Sequence, residues 1–465
     1  MSLKLTPLIH EEVVGFLKNQ DRLFELIRYH GSPLNLLFPN LMSENIARFQ
    51  TVLERNMDRS QIYYAHKPNK SVELLQTGQT AGIGVDVASF KELNNALQTG
   101  ISPKNIEATG PKNDLFIKQG VEAEIVFNID SLTELALVIQ ESKNQSKKTR
   151  VYLRLNGFSA QHTNVRWSES RFGILIKDLP VILQQLINQK DFIQLIGFSF
   201  HINAGGKKER LIAIENSIEC TLAARKLGLN PQFINIGGGF HISYLAHQEE
   251  WHDYISALKR SVLGHVERLS WNDSGLGYKN RSGALEGGPN FGEFYHELVK
   301  ERELEDLLNE KLPTYNLSVK TILNEMLIGL AIEPGRALLD QVGVTVAEVL
   351  DVKETSSGDQ VVIVDMNRSN INAIDMELMF DPLLVSQEQD HDKPFFAFIA
   401  GNLCLHSDLI YRHKTFFPHQ PHRGDLLVFV NTGAYNMNFA ESATLGQPVA
   451  KTVIVKDKTV CSTET

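Results

Sequence analysis

The feature that most constrains this fold is a regular alternation of short apolar segments with longer segments of helical periodicity. From about residue 60, segments rich in β-branched and aromatic residues are separated by polar stretches such as SFKELNNALQ and SLTELALVIQESK. Strands that alternate with helices pair in parallel, and eight such strands are the number found in a (β/α)₈ barrel. The segments end, in order, at Lys67, Ser89, Gly110, Ile129, Asn156, Ile202, Gly239 and Arg336.

The rest of the chain does not follow this repeat, so we expect additional structure around a barrel at residues 46–338. Residues 1–45 carry a helical pattern and the strand-like segment LNLLF, and residues 339–465 carry further strand-like segments with little helix. The sequence therefore predicts an α/β protein, with a TIM barrel and a mainly antiparallel C-terminal β-domain that the N-terminal segment joins. The spacing before the eighth strand exceeds what one helix needs, which predicts an insertion at about 265–320, either a lid or a surface decoration.

Composition narrows the class of protein. The net charge of −9 argues against a broad basic surface for nucleic acid or anionic membranes. No apolar run has the length of a membrane span, and the first residues lack the apolar core of a secretory signal, so we expect a cytoplasmic protein with no membrane partner. The cysteines are too few for a disulfide scaffold and lack the spacing of a metal site. They are Cys220, Cys404 and Cys461.

Active sites of such barrels lie at the carboxyl ends of the strands. A lysine enclosed there can form a Schiff base with an aldehyde, and a glycine run can surround a phosphate. A carboxylate can keep a pyridine nitrogen protonated, so the set predicts pyridoxal phosphate. Considered one at a time, these residues have simpler interpretations: the lysine as a solvated surface residue, the glycine run as a tight turn, and the histidine as a structural residue. The residues at the predicted strand ends are Lys67, Asp86, Arg154, His201, Gly237, Gly238, Gly239, Glu333 and Arg336.

These motifs resemble, in their order along the chain, those of the fold type III pyridoxal-phosphate decarboxylases. This group contains the ornithine, arginine and diaminopimelate decarboxylases, with alanine racemase as a more distant relative. Each motif alone is weak, but the ordered set is specific and runs from about residue 30 to 445. The motifs are YYAHKPNK, VDVAS, SFHINAGG, INIGGGF, IEPGR, GNLCLHSD and GAYNMNFAES.

The resemblance implies a role for each matching residue. Lys67 matches the lysine that carries the cofactor, His201 the histidine stacked on its ring, and Glu333 the carboxylate at the pyridine nitrogen. Asp86 and Arg154 match residues that support the ring and the lysine. Cys404 matches a cysteine that a second subunit inserts as proton donor after CO₂ leaves, which implies a homodimer with shared active sites. The implied phosphate contacts are Gly237, Gly238, Gly239, Arg336 and Tyr435.

Departures from the family pattern bear on the substrate. The run His201-Ile202-Asn203-Ala204 lacks the serine of the family's phosphate motif. Leu405 stands where the family usually has an acid for the distal amine of a basic substrate. The segment DMNRSNIN lacks a clear match to the arginine that binds the distal carboxylate of diaminopimelate. We therefore expect an amino acid or amino-acid conjugate, a siderophore or secondary-metabolite intermediate being one candidate. Candidate substrate contacts are Asn402, Leu405, His406 and Asp408.

The first prediction is therefore a lyase of amino-acid metabolism that decarboxylates its substrate with pyridoxal phosphate and without a metal. Two alternatives remain open. A racemase or epimerase on the same cofactor needs a second base on the opposite ring face, which Cys404 can supply. A non-catalytic pyridoxal-phosphate binding protein would carry the same cofactor motifs without turnover.

Overall fold

The structure is a computed structural model that describes residues 3–159, 170–202, 206–372, 378–387, 393–438 and 444–464. Its α-helices are α1 Glu11–Leu17, α2 Gln20–His30, α3 Pro39–Asn56, α4 Val72–Thr80, α5 Phe90–Gln98, α6 Asp114–Ala123, α7 Leu132–Asn144, α8 Leu179–Asn188, α9 Lys207–Lys226, α10 Gln248–Val262, α11 Lys300–Asn309, α12 Val319–Glu325 and α13 Arg368–Ile371.

The β-strands divide between two compact units, one of residues 42–241 and 298–338, the other of residues 1–41, 242–297 and 339–465. They are β1 Leu34–Leu37, β2 Ser60–Ala65, β3 Gly84–Val87, β4 Ile106–Ala108, β5 Val126–Ile129, β6 Thr149–Asn156, β7 Ile174–Leu175, β8 Ile193–Ser199, β9 Phe233–Asn235, β10 Tyr278–Arg281, β11 Ala284–Gly287, β12 Lys311–Leu312, β13 Leu317–Ser318, β14 Gly329–Ile332, β15 Gly343–Glu354, β16 Gln360–Val364, β17 Leu383–Val385, β18 Phe395–Ala400, β19 Thr415–Phe417, β20 Leu426–Phe429, β21 Lys451–Lys456 and β22 Thr459–Glu464.

The first unit is a closed parallel barrel, which confirms the predicted fold class. Its strands pair in the order β2-β3-β4-β5-β6-β8-β9-β14, and β14 returns to β2. Every predicted barrel strand is present, in the predicted order. Gly197 in β8 allows a close strand approach, since a Cβ there would collide with the carbonyl oxygen of Phe233 on β9.

Repeated helix caps set the direction of the chain as it leaves the barrel strands. The segments SFKE and SLTE follow a serine-to-glutamate pattern in which Ser89 and Ser131 accept hydrogen bonds from the backbone N–H groups of Glu92 and Glu134, both at 3.2 Å. Such caps satisfy N–H groups that the first helical turn leaves without a partner. They start α5 and α7 immediately after β3 and β5, so the strand ends stay at one rim of the barrel.

The second unit is built around a curled, mainly antiparallel sheet. Strand β15 pairs antiparallel with β1, β16 and β20, whereas β1 also pairs in parallel with β21. The segment LNLLF thus forms β1, in which Leu34, Leu36 and Leu37 are fully buried. The predicted helix before it is two helices, α1 and α2, because the Asn19 side chain caps a new helix through the N–H of Arg22.

The chain between the seventh and eighth barrel strands is divided differently from the predicted boundaries. Residues 242–297 belong to the sheet unit and residues 298–338 to the barrel unit. Within the sheet unit, Ser270 forms an antiparallel bridge with His413, and the Trp271 ring packs edge-on against Phe398 with ring centroids 5.0 Å apart. Backbone and aromatic contacts therefore attach this part of the predicted insertion to the sheet. The α-helices in the described part of the chain include none that is long and apolar enough to cross a membrane.

Candidate active site

Six of the predicted site positions cluster on the barrel unit at the carboxyl ends of its strands. Asp86 and Arg154 lie within the last residues of β3 and β6. Lys67, His201 and Gly237 each follow the last residue of β2, β8 or β9 by two positions, and Glu333 follows β14 by one. The closed barrel thus brings to one rim residues that are far apart in the sequence.

Two buried asparagines join the carboxyl groups at this rim. The Asn235 amide nitrogen donates to Glu333 Oε1 at 2.6 Å and to both oxygens of Glu107, at 3.1 and 3.2 Å. The Asn128 amide donates to Glu107 Oε1 at 2.7 Å. Burial raises the pKa of Glu333, while the Arg154 charge and hydrogen bonds from Asn235 and Glu107 oppose that rise.

Glu107, a central member of this network, was not among the site residues predicted from the sequence. Its side chain is 0% exposed. Burial, and then the charge of Glu333, raise the pKa of Glu107 well above its ordinary value. The raised pKa of Glu107 means that burial favours its protonated form.

Asp86 shares the same low-dielectric environment. Burial raises the pKa of Asp86, and the nearby Glu333 raises it further, whereas the Thr109 hydroxyl donates to Asp86 Oδ1 at 2.7 Å and favours the charged form. The rim thus holds three carboxyl groups close together. A bound group with a positive charge on its ring would lower the energy of the ionised forms of these acids.

Lys67 differs from the prediction in its surroundings, because its side chain is exposed rather than enclosed. It stands beyond the end of β2, where the chain has left the packed barrel wall. The preceding residue is the buried one: His66 is 0% exposed and donates its backbone N–H to the Asp86 carbonyl at 3.0 Å. The turn that follows β2 therefore buries His66 and leaves Lys67 accessible.

The glycine run forms a loop that only glycine can follow. Gly237 and Gly239 have φ values of 69° and 78°, in the left-handed region. A Cβ on Gly237 would lie 2.7 Å from His201 Nδ1, and one on Gly238 would collide with the carbonyl oxygen of Glu333. The Gly238 N–H donates to His201 Nδ1 at 3.3 Å, which leaves Nε2 as the protonated ring nitrogen of the neutral histidine.

Arg154 is held by an acidic partner. Its Nη1 lies 3.3 Å from Asp130 Oδ1, and its guanidinium lies 4.7 Å from the centroid of the Phe172 ring. Arg336 follows Glu333 in the IEPGR segment and is partly exposed. Asn203 and Ala204, where the sequence departs from the family's phosphate motif, lie outside the residues that the structure describes.

The predicted residues of the sheet unit lie on a loop after β18 and in the segment around Tyr435. Cys404, Leu405 and His406 are exposed, with Leu405 at 49%. Asp408 is buried instead, and its carboxylate accepts from the backbone N–H groups of Leu403 and Arg368, both at 2.8 Å. The carboxylate of Asp408 therefore shapes the loop that presents the three exposed side chains.

Two further predicted residues have defined surroundings in this unit. The Asn402 amide donates to Asp365 Oδ1 at 2.9 Å, so its side chain is already directed toward the sheet. Tyr435 has a φ of 68°, a left-handed conformation that is rare for a residue with an aromatic side chain. Strain of this kind is concentrated at functional sites in proteins.

We predict that His66 makes the free energy of unfolding depend on pH below 6.5. Burial lowers the pKa of His66 from 6.5 to about 4. The unfolded chain therefore takes up a proton near pH 6.5 that the folded chain takes up only near pH 4. Stability is complete above pH 6.5 and falls as the pH drops toward 4, by about 3 kcal/mol in total.

Denaturant unfolding between pH 7.5 and 4.5 measures this effect. A His66→Phe variant should lose less stability than the wild type over this range, because the titrating group is gone. His252 is exposed on α10, so His252→Phe is the matched control and should keep the wild-type pH dependence. Equal pH dependence of the wild type and His66→Phe would refute the assignment.

The rim residues fit a planar, cationic ring that also carries a phosphate. A glycine loop lies on one side of the rim, a buried carboxyl network stands beside it, and a lysine is accessible. These are the groups that a phosphorylated pyridine aldehyde requires. Among the described residues, no group of three metal-ligating side chains stands close enough to hold a metal ion. Fold and site together fit a barrel protein of the pyridoxal-phosphate class.

Comparison with known proteins leads to the family. The family described as "Pyridoxal-dependent decarboxylase, pyridoxal binding domain" matches residues 43–273. The uncharacterized protein y4yA of Sinorhizobium fredii is 30% identical over 97% of this chain and 94% of its own length. The chain belongs to the fold type III pyridoxal-phosphate-dependent decarboxylase family, whose cofactor is pyridoxal phosphate.

More distant relatives agree with this assignment. The diaminopimelate decarboxylase of Staphylococcus aureus is 24% identical over 89% of this chain and 86% of its own. The L-glutamyl-[BtrI acyl-carrier protein] decarboxylase of Niallia circulans is 23% identical over 86% of this chain and 84% of its own. The crystal structure of diaminopimelate decarboxylase from Helicobacter pylori, with L-lysine, has a TM-score of 0.73 at 18% identity and covers 95% of both chains, which shows the same fold.

Proposed function

We propose that this protein decarboxylates an amino acid or an amino-acid conjugate with pyridoxal phosphate, releasing CO₂ and an amine. The observation that carries the proposal is the hydrogen-bonded carboxyl network of Glu333, Asn235 and Glu107 beside an accessible Lys67. Bound pyridoxal phosphate supplies an electron-withdrawing ring that accepts the electrons left when the carboxylate departs. The protein's part is to hold that ring, to keep its nitrogen protonated and to deliver a proton.

The proposed roles of the rim residues follow from their contacts. Lys67 would hold the cofactor through its aldehyde, and the Glu333 carboxylate would keep the ring nitrogen protonated. Asp86 and Arg154 are held in place by Thr109 and Asp130, and they support the ring and Lys67. His201 would support the ring face, and the Gly238 N–H fixes its imidazole orientation. The phosphate contacts are Gly237, Gly238, Gly239, Arg336 and Tyr435.

We assign the proton donor to Cys404 of the partner subunit, in a homodimer with shared active sites. Support comes from the family motif GNLCLHSD and from the exposed position of Cys404 on a loop that the Asp408 carboxylate stabilises. A thiol at the α-carbon donates the proton that replaces CO₂. The described cysteines form no disulfide, in keeping with a cytoplasmic protein.

The proposed substrate is not a simple basic amino acid. Leu405 is exposed beside Cys404, and a leucine cannot pair with a distal ammonium group. The relative from Niallia circulans acts, by its name, on a glutamyl group attached to an acyl-carrier protein. These observations favour an amino acid whose side chain, including any side-chain carboxyl group, is neutral or already conjugated, and whose α-carboxylate is free to leave as CO₂. Leu405 and His406 are the proposed contacts, with Asn402 and Asp408 supporting their loop.

The cofactor-loaded protein, incubated with a panel of free and conjugated amino acids, tests the proposal. CO₂ and the corresponding amine should appear with neutral or conjugated members of the panel. Solvent deuterium at the α-carbon without CO₂ would show a racemase instead, and a cofactor spectrum that no amino acid changes would show a binding protein. Turnover restricted to lysine, ornithine and arginine would refute the substrate class alone.

We predict that Cys404→Ala lowers kcat about 10²-fold, because a positioned proton donor contributes on this scale. Cofactor binding should not change, since the barrel residues are intact.

A subunit-mixing experiment tests whether the active site is shared. Mixing Cys404→Ala subunits with Lys67→Ala subunits should restore about a quarter of wild-type activity, because half of the randomly formed dimers are mixed and each mixed dimer holds one complete site of two. Cys461→Ala, which removes an exposed thiol on β22, is the control. If activity did not recover on mixing although the subunits had exchanged, the proposal of an active site shared between subunits would be contradicted.

A further inference from the structure

Arg210 is a buried arginine whose position the proposed roles do not explain. It lies in the first turns of α9, after the segment that contains His201, and it is only 2% exposed. Its Nη2 donates to the carbonyl oxygens of Gly238, at 3.0 Å, and Gly239. Burial of an arginine is costly unless its charge and its hydrogen-bond donors are satisfied. Arg210 meets this condition only in part: Nη2 binds the glycine loop from behind, whereas Nε is buried with no hydrogen-bond partner in the described part of the chain.

The geometry of the peptide group determines what this contact does to the loop. In a trans peptide the C=O and the following N–H point to opposite sides. Two carbonyls directed at Arg210 therefore direct the N–H groups of Gly239 and Phe240 away from it. Within the described ranges, neither N–H donates to a protein acceptor. In contrast, the N–H groups of Gly237 and Gly238 donate to Asn235 and His201.

Other contacts hold the guanidinium in place. Arg210 Nη1 lies 3.9 Å from Glu303 Oε1 on α11, and the guanidinium lies 5.0 Å from the centroid of the Phe240 ring. Glu303 Oε2 accepts from the His241 backbone N–H at 2.8 Å, which ties α11 to the same loop. The arginine is thus fixed relative to the glycines from two sides.

We propose that Arg210 is a positioning residue that orients the Gly239 and Phe240 N–H groups toward the phosphate of pyridoxal phosphate. The inference rests on the proposed phosphate role of the glycine loop. Two fixed N–H donors, polarised by a cation behind their peptide groups, form the kind of concave site that binds an anion. The role is distinct from direct phosphate binding, since the guanidinium faces the carbonyl side of the loop.

Affinity for two forms of the cofactor separates this role from simple structural support. The full-length protein, stripped of cofactor, is titrated with pyridoxal phosphate and with pyridoxal, which lacks the phosphate. Arg210→Met fills the space without donating, and should weaken pyridoxal phosphate binding about 10- to 100-fold, the usual scale for residues that orient a ligating group. Pyridoxal binding should not change. Arg210→Lys, which keeps the charge and one donor direction, should show a smaller loss.

Arg225 offers a matched control on the same helix. It also donates to backbone carbonyls, those of Met326 and Pro231, but at the end of α9 far from the glycine loop. Arg225→Met should leave the ratio of the two affinities at its wild-type value. The inference would be overturned if Arg210→Met lost affinity for pyridoxal phosphate and pyridoxal equally, or lost neither. If Arg210→Met does not fold, the ratio of the two affinities in Arg210→Lys is the deciding measurement. Equal wild-type affinity for the two ligands would instead refute the proposed phosphate site itself.

Discussion

Lys67→Ala is expected to lower turnover by at least about 10⁴-fold, since removal of a covalent nucleophile has effects of this size or larger. The side chain is exposed two residues beyond the end of β2, whereas its neighbour His66 is buried. Truncation to alanine should therefore leave the barrel packing and the unfolding free energy unchanged. The loss would be one of chemistry and of covalent cofactor attachment.

Covalent trapping of the cofactor tests the attachment directly. Borohydride reduction should fix the cofactor to the wild-type chain at Lys67, detectable by peptide mass, and should fix none to Lys67→Ala. Lys70→Ala is the matched control, because Lys70 lies three residues later and pairs with Glu92 at 2.6 Å. This control should retain attachment at Lys67. Full turnover by Lys67→Ala would overturn the proposed mechanism.

The sequence predicted the fold and the rim residues because both depend on local patterns. Alternation of strands and helices identified the barrel, and in a barrel the strand ends meet at one rim. Asp86, Arg154, His201 and Glu333 could therefore be expected together before any distance was known. The segment LNLLF joined the sheet for a similar reason, since an apolar strand without a partner in the barrel needs another sheet to bury it.

Residues that act through tertiary contacts were not predictable in this way. Glu107 and Asn235 lie inside the barrel, and only the strand register shows that Asn235 joins Glu107 to Glu333. In the sequence, Arg210 is one of several charged residues in a helical segment, and nothing there predicts that it is buried. Its burial results from the position of α9 beside the glycine loop. A polar residue inside an apolar strand, as at Glu107 in NIEATG, was the available signal, because a buried acid needs partners.

The exposure of Lys67 and the division of residues 242–338 between two units differed from expectation for related reasons. An apolar strand predicts burial for the strand itself but not for the residue two positions beyond its end. The number of residues between two strands shows that additional chain is present. It does not show against which core that additional chain packs. The bridge between Ser270 and His413 pairs segments far apart in sequence, and no local pattern encodes such a pairing.

Glu333→Gln is expected to lower kcat about 10³-fold while the cofactor stays bound, since loss of one buried electrostatic contact at a reacting group has this scale. Glu333 accepts from the Asn235 amide at 2.6 Å, and this bond and a hydrogen bond from Glu107 lower its pKa against the effect of burial. These donors favour an ionised Glu333, and an ionised Glu333 favours a protonated ring nitrogen. The neutral amide of glutamine cannot stabilise that positive charge.

The spectrum of the bound cofactor distinguishes this cause from misfolding. Glu333→Gln should bind pyridoxal phosphate through Lys67 with an altered pH dependence of its visible absorbance, while Glu333→Asp, which keeps the charge, should recover part of the turnover. Glu325→Gln removes an exposed carboxylate at the end of α12, before the strand that leads to Glu333, and should behave as wild type. An unchanged kcat and spectrum in Glu333→Gln would show that ring protonation does not depend on this carboxylate. The Glu107 hydrogen bond would then serve only the packing of the barrel.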